Sequence, residues 1–94
     1  MKLWILQPVE SLPADDNPWN PWYDKAFGFV VRAESEQQAR ELAQQQAGDE
    51  DRGKFMQQRI ANTKTPWTDP KYSTCDELLA DGEAGVVMRD FAAA

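Results

Sequence analysis

The chain contains no histidine and only one cysteine, Cys75, among its 94 residues. The absence of histidine removes the commonest general base, the usual activator of a nucleophile and the most frequent transition-metal ligand. A single cysteine cannot form an internal disulfide, which is typical of proteins from the reducing cytoplasm. We therefore expect a cytoplasmic protein that is not an enzyme and that holds neither a metal nor another cofactor.

Long hydrophobic runs and glycine-rich loops are also missing. No stretch approaches the roughly 20 apolar residues of a membrane span, and the first apolar run stops at Pro8, too early for a signal peptide. The five glycines are dispersed along the chain and form no phosphate-binding loop. We expect no membrane association and no nucleotide-binding motif of that kind.

Acidic residues outnumber basic ones by sixteen to ten, which gives a formal net charge of -6. This charge disfavours direct binding to DNA and to anionic membranes, and an acidic protein more naturally meets a basic partner. Solubility alone is the simpler explanation of the charge. Because 41% of the residues are hydrophobic and 11% aromatic, we expect one folded domain spanning residues 1–94.

Strand-like patterns occur in four places, and one helical pattern separates the second from the third. The predicted strands are 2–9, 26–33, 72–78 and 85–91, and the predicted helix is 35–47. The third strand is ambiguous, because Thr74 and Glu77 also fit the capping box of one helical turn.

The helix prediction depends on its ends and on one apolar stripe. Ser35 is a suitable N-cap, Gln38 stands at the capping-box position and Gly48 can end the helix. Glu36 and Arg40 are spaced for an ion pair on the helix surface. The apolar stripe consists of Ala39, Leu42, Ala43 and Ala47.

This order predicts an α+β fold, β-β-α-β-β, with one main helix on one face of a small, mostly antiparallel sheet. A single helix covers only one sheet face, so the other face needs a cover. Either the aromatic loop folds over it or a second chain does, which makes a homodimer possible. The apolar residues predicted for that other face are Trp4, Leu6, Val30, Val86 and Met88.

Two irregular segments interrupt the pattern: a loop at 10–25, rich in tryptophan and proline, and a variable excursion at 49–71. Both contain tryptophan next to proline and carboxylates. Such a set can grip flat rings or a partner's side chains, although the rings could equally cap the open sheet face. The candidate partner-binding residues are Trp19, Trp22, Tyr23, Asp24, Trp67 and Asp69.

Charge clusters supply two further candidate sites and one catalytic alternative. A basic run could hold a phosphate-bearing ligand or an acidic protein surface, and consists of Arg52, Lys54, Arg59 and Lys64. An acidic run could imitate nucleic-acid phosphates, and consists of Glu34, Glu36, Glu41, Asp49, Glu50 and Asp51. Catalysis by Asp24 or Asp69 with Tyr23 and Lys25 is disfavoured, because no pair is visibly arranged to separate pKa values. Either charge run is also explained by solvation alone.

The motifs together resemble a group of short proteins encoded in bacteriophages, prophages and proteobacterial genomes. The resemblance rests on "PWYDKAFGFVVRAESEQQARELA", "GDE", "PWTDPKYSTCDEL" and "GEAGVVMRDFAAA". Residues 52–64 look like an insertion relative to that pattern. The resemblance brings no activity with it, but implies a phage accessory factor that binds and inhibits or modulates a host protein, such as a defence protein. A nucleotide sponge and an acidic nucleic-acid mimic are the alternative expectations.

Overall fold

The computed structural model describes residues 1–19, 26–47 and 65–89. These residues form three strands and one helix. In chain order they are β1 (Lys2–Pro8), β2 (Phe29–Ala33), α1 (Glu36–Gln45) and β3 (Ser73–Leu78). A single 3₁₀ turn, Ala14–Asp16, lies in the segment between β1 and β2. No helix in these ranges has the length and apolar character needed to cross a bilayer.

The sheet has the order β2-β1-β3, with β1 in the centre and antiparallel to both neighbours. Strands β2 and β3 are therefore parallel to each other and lie on opposite sides of β1. Helix α1 belongs to the connection between them and contacts all three strands. This is a split β-α-β arrangement, in which a third strand is inserted between the two parallel ones.

The α+β class and the antiparallel pairing are confirmed, and residues 73–78 form a strand rather than a helical turn. The predicted fourth strand at 85–91 is not seen in its described part: residues 85–89 belong to no strand, and residues 90–91 lie outside the described residues. Val86 and Val87 are largely exposed there. β-branched residues favour a strand only where a neighbouring strand and a packed face receive them, and the sequence pattern does not report either.

The helix begins as predicted. The Ser35 Oγ accepts a hydrogen bond from the Gln38 backbone N–H at 3.2 Å, and the Gln38 Oε1 accepts one from the Glu34 N–H at 2.7 Å. The predicted apolar stripe is only partly right: Ala39 and Ala43 are buried, whereas Leu42 is exposed. Its place toward the core is taken by Arg40 and Gln44, which are the buried polar residues of the helix. Gly48, the predicted terminator, lies outside the described residues.

The core lies on one face of the sheet, beneath the helix. The register of the strands defines this face, because Leu6 pairs with Phe29 on one side and with Cys75 on the other. Trp4 belongs to the same face, opposite Val31, and its Nε1 donates to the Ala33 carbonyl at 3.1 Å. We call this the covered face.

The prediction that Trp4 and Leu6 lie on the face away from the helix is wrong. Strand β1 is apolar on both sides, so its own pattern does not distinguish the two faces. The face away from the helix instead carries Leu3 and Ile5 of β1, with Val30 of β2 as predicted. We call this the open face.

Candidate functional site

Trp19, the first of the predicted anchors, is a core residue. Its side chain is 5% exposed, and its Nε1 donates to the Tyr72 carbonyl at 3.1 Å. Its backbone N–H donates to Asn17 Oδ1 at 2.9 Å, so the asparagine side chain shapes the turn that carries the ring inward. The ring packs edge-on against Trp67, with 4.8 Å between centroids. Trp19 therefore covers the same face as the helix, not the open face.

Trp67, the second anchor, is completely buried. Its ring also meets Phe29 edge-on, with 4.8 Å between centroids, and its backbone N–H donates to Gln44 Oε1 at 2.8 Å. Pro66 is buried beside it. Residues 65–71, the described end of the predicted excursion, are thus held against the helix and β2. In this arrangement the ring surfaces of Trp19 and Trp67 are used inside the molecule, not presented to a partner.

Arg40 is the polar centre of the covered face. Its Nη1 donates to the Ser73 Oγ at 2.8 Å and to the Trp67 carbonyl at 3.2 Å, and its Nη2 donates to the Ser73 carbonyl at 3.1 Å. Its Nε donates to Glu36 Oε2 at 2.9 Å, as the helical spacing predicts. Ser73 in turn donates to the Pro66 carbonyl at 2.8 Å. One guanidinium therefore joins the helix, β3 and the Pro66–Trp67 turn, a role that the sequence pattern does not reveal.

Asp69 also has a local structural role. Its carboxylate accepts a hydrogen bond from the Lys71 backbone N–H at 2.9 Å, and its carbonyl accepts from the N–H groups of Tyr72 and Ser73 at 3.0 and 3.1 Å. These contacts form the turn that leads into β3. The carboxylate predicted to orient a ligand is thus engaged in the chain's own turn, and the enzyme alternative draws no support from it.

A second carboxylate, Asp16, ties the loop before β2 to this turn. Its Oδ1 accepts a hydrogen bond from the Tyr72 hydroxyl at 2.6 Å, and its Oδ2 lies 2.5 Å from the Lys71 Nζ. The hydrogen bond to Asp16, together with its charge, raises the pKa of Lys71 above its usual value of 10.5. The lysine is therefore cationic at neutral pH and belongs to this surface ion pair.

Cys75 is buried on the covered face. Burial raises the pKa of its thiol, and the nearby Arg40 lowers it only in part. A neutral, enclosed thiol is a packing residue and not an activated nucleophile. Across the described ranges, no group of acidic or cysteine side chains is arranged to hold a metal ion.

The remaining candidates divide between the helix and the undescribed ranges. Glu34, Glu36 and Glu41 are exposed around the first turns of the helix, but Glu36 is paired with Arg40. The other predicted site residues lie outside the described residues: Trp22, Tyr23, Asp24, Lys25, Asp49, Glu50, Asp51, Arg52, Lys54, Arg59 and Lys64.

A concave site does occur at the base of the Trp/Pro loop, where β1 ends and residues 26–28 approach β2. The cavity measures about 240 Å³. Phe27, which is 68% exposed, and the buried Trp19 both line it. The described lining residues are Pro8, Val9, Glu10, Asn17, Trp19, Ala26 and Phe27. We call this cavity the loop groove.

Most of the described residues that line the loop groove are apolar, and one of them, Glu10, is acidic. Pro8, Val9 and Ala26 present hydrocarbon, and Glu10 is an exposed carboxylate. The Asn17 side chain is engaged with the Trp19 backbone. Trp19 was among the predicted site residues, whereas Phe27 was placed in the predicted strand 26–33 and not among them. The strand begins only at Phe29, so Phe27 lies before it and is exposed.

Comparison of the chain with protein-family models, with curated proteins and with solved structures gave no match in any of the three.

Proposed function

We propose that this chain is a non-enzymatic binding protein, a phage or prophage accessory factor that binds and modulates a host protein. The observation that carries the proposal is the loop groove, an open apolar cavity with an exposed phenylalanine on its wall. Exposed aromatic residues beside a pocket are typical anchors of protein interfaces. The phage association is taken from the sequence resemblance.

The size of the loop groove favours a protein side chain over a free nucleotide. Its volume of about 240 Å³ lies below the roughly 300–1,000 Å³ of pockets that enclose drug-sized ligands. The described residues that line it include no lysine or arginine to pair with a phosphate group, and Glu10 among them would repel one. These two features disfavour the nucleotide sponge at this site.

The negative charge of the chain indicates which kind of partner fits the groove. Glu10 lines the groove, and the chain as a whole carries a net charge of -6. A basic segment that carries an aromatic or large aliphatic side chain fits both features, because the apolar group fills the groove while a lysine or arginine meets Glu10. The predicted contacts Trp22, Tyr23 and Asp24 are close in sequence to this groove and stay candidates for the same partner.

The binding role of the groove is tested with two exposed apolar residues, one that lines the groove and one that does not. Phe27 lines the groove, whereas Leu79 follows β3 and is exposed to a similar extent, 65%. Tagged wild-type, Phe27→Ser and Leu79→Ser chains are used to capture proteins from a bacterial host lysate, followed by quantitative mass spectrometry. We expect Phe27→Ser to reduce capture of a specific protein by about tenfold or more, as for an interface anchor. Leu79→Ser should capture it as well as the wild type.

Thermal unfolding completes the test, because both substitutions affect exposed side chains and should leave the melting temperature nearly unchanged. Equal capture by Phe27→Ser and the wild type would exclude the groove as the binding site. A nucleotide that stabilises the wild type but not Phe27→Ser would instead support the sponge.

A further inference from the structure

The open face of the sheet is a second surface, separate from the loop groove. Its apolar centre consists of Leu3 and Ile5 on β1, Val30 on β2 and Leu78 on β3, which the register places side by side. Val30 is 55% exposed and Leu3 37% exposed, and Ile5 is only partly buried although it lies in the central strand. A residue in the middle of a sheet is normally buried by whatever packs on its face. This face therefore carries apolar area that the described residues leave accessible.

Two opposite charges flank this apolar centre on the outer strands. Arg32 on β2 pairs across with Leu3, and Asp76 on β3 pairs across with Ile5, so both side chains belong to the open face. Both residues are exposed. The ion pairs and hydrogen bonds of the described residues involve neither side chain. The face thus offers one cation on one side and one anion on the other, with hydrocarbon between them.

We infer that a second copy of this chain covers the open face, related to the first by a two-fold axis parallel to β1 and passing over Ile5. Such an axis places each β1 over its counterpart and each β2 over the β3 of the second copy. Ile5 then meets Ile5, and Leu3 meets Leu3, at the approximately 10 Å separation of packed sheets.

The same axis brings the charges into complementary positions. Val30 lies level with Asp76 of the second copy, because both residues pair with Ile5. Arg32 is two residues farther along β2, a distance of about 7 Å along the strand, which the long arginine side chain can span. Two equivalent Arg32–Asp76 pairs therefore flank one apolar centre. A partner of uniformly basic or acidic character would instead meet one repulsive charge on this face.

The dimer is expected to be weak and reversible. A three-stranded face is smaller than the ~800 Å² per partner of a standard protein interface. Self-association should therefore depend on concentration in the micromolar range or above, and should weaken with salt because its flanking ion pairs are screened.

Charge reversal provides the test, with sedimentation equilibrium of the full chain over a range of concentrations as the measurement. We expect the wild type to show a monomer–dimer equilibrium. Arg32→Asp or Asp76→Arg alone should weaken the dimer about tenfold, since each places like charges opposite each other. The double variant, with both substitutions, should restore dimerisation. Glu41→Arg, which makes the same change in net charge as Asp76→Arg on the exposed side of the helix, should leave it unchanged.

Each result decides the inference. A wild-type chain that stays monomeric at every concentration overturns it, and so does a dimer that is indifferent to the single reversals. Far-ultraviolet circular dichroism checks that the double variant is folded. If the folded double variant does not dimerise, the Arg32–Asp76 pairing is overturned. Phe27→Ser should not affect self-association, so the dimer and the proposed partner binding can fail separately.

Discussion

The two faces of the sheet consist of alternate residues of the same three strands, yet they differ in what completes them. The covered face receives the helix, Trp19 and Trp67, and its buried polar groups are joined through Arg40. The open face keeps an apolar centre with one charge on each outer strand, Arg32 and Asp76. The difference shows that a core needs more than hydrophobic residues, because the polar groups buried on the covered face also have hydrogen-bond partners.

The covered face also concentrates aromatic packing that the open face lacks. Trp67 contacts Trp19 and Phe29, both edge-on, and its backbone is held by Gln44 and Arg40. Side chains there are both packed and hydrogen-bonded, so changes on this face should cost far more stability than changes on the other. Three pairs of substitutions measure this contrast.

The largest effect is expected for Trp67→Ala. Removal of a fully buried indole leaves a cavity and should lower the free energy of unfolding by about 4 kcal/mol, as for other large aromatic truncations. Urea unfolding followed by circular dichroism measures the change. Trp67→Phe is the matched control, because it keeps a ring against Trp19 and Phe29 and should lose clearly less. Equal losses for the two variants would show that the aromatic contacts do not stabilise this face.

Arg40→Ala should rank second, with a loss of about 3 kcal/mol, because it removes the guanidinium donors to the buried Trp67 carbonyl and to the Ser73 hydroxyl and carbonyl. The matched control is Glu36→Gln, which weakens only the ion pair between Arg40 and the exposed Glu36 carboxylate. Its effect should be about 0.5 kcal/mol or less, since a largely exposed carboxylate contributes little. The same urea titration serves for both. If Glu36→Gln cost as much as Arg40→Ala, the surface pair and not the buried bonds would stabilise the fold.

The smallest change in stability is expected for two neighbouring valines that lie on opposite faces of the sheet. Val30 belongs to the open face, whereas Val31 is half-buried and packs against the core. Val30→Thr should change the free energy of unfolding by less than about 0.5 kcal/mol, and Val31→Thr should lower it by about 1 kcal/mol, because its hydroxyl enters the packed side. Thermal unfolding of dilute protein, where no dimer contributes, measures both. The opposite order would mean that the faces are exchanged.

Several features of the fold follow directly from local sequence. Ser35 and Gln38 cap the helix as their spacing predicts, and the Glu36–Arg40 pair forms at helical distance. These contacts connect residues no more than four positions apart, so local rules are sufficient. Strand β3 also agrees with the alternating pattern of its residues, although the competing capping box could be rejected only through its pairing with β1.

Other features required contacts between distant parts of the chain. Arg40 looked like a surface residue because only Glu36 is near it in sequence, whereas its partners Trp67 and Ser73 are 27 and 33 residues away. Phe27 looked like a strand residue because it continues the alternation of β2, but the strand starts two residues later. The loop groove therefore borders Trp19, one of the predicted site residues, but Phe27, its exposed aromatic lining residue, was not among them.

The sequence by itself determined the class of fold, the start of the helix and the absence of histidine, because these depend on composition and on short-range spacing. Only the tertiary structure decided which side of β1 the helix covers, since both sides of that strand are apolar and the register with Phe29 and Cys75 makes the choice. The same choice turned Trp19 and Trp67 into core residues. Among the described residues, Phe27 at the loop groove and Leu3 and Val30 on the open face stay exposed instead.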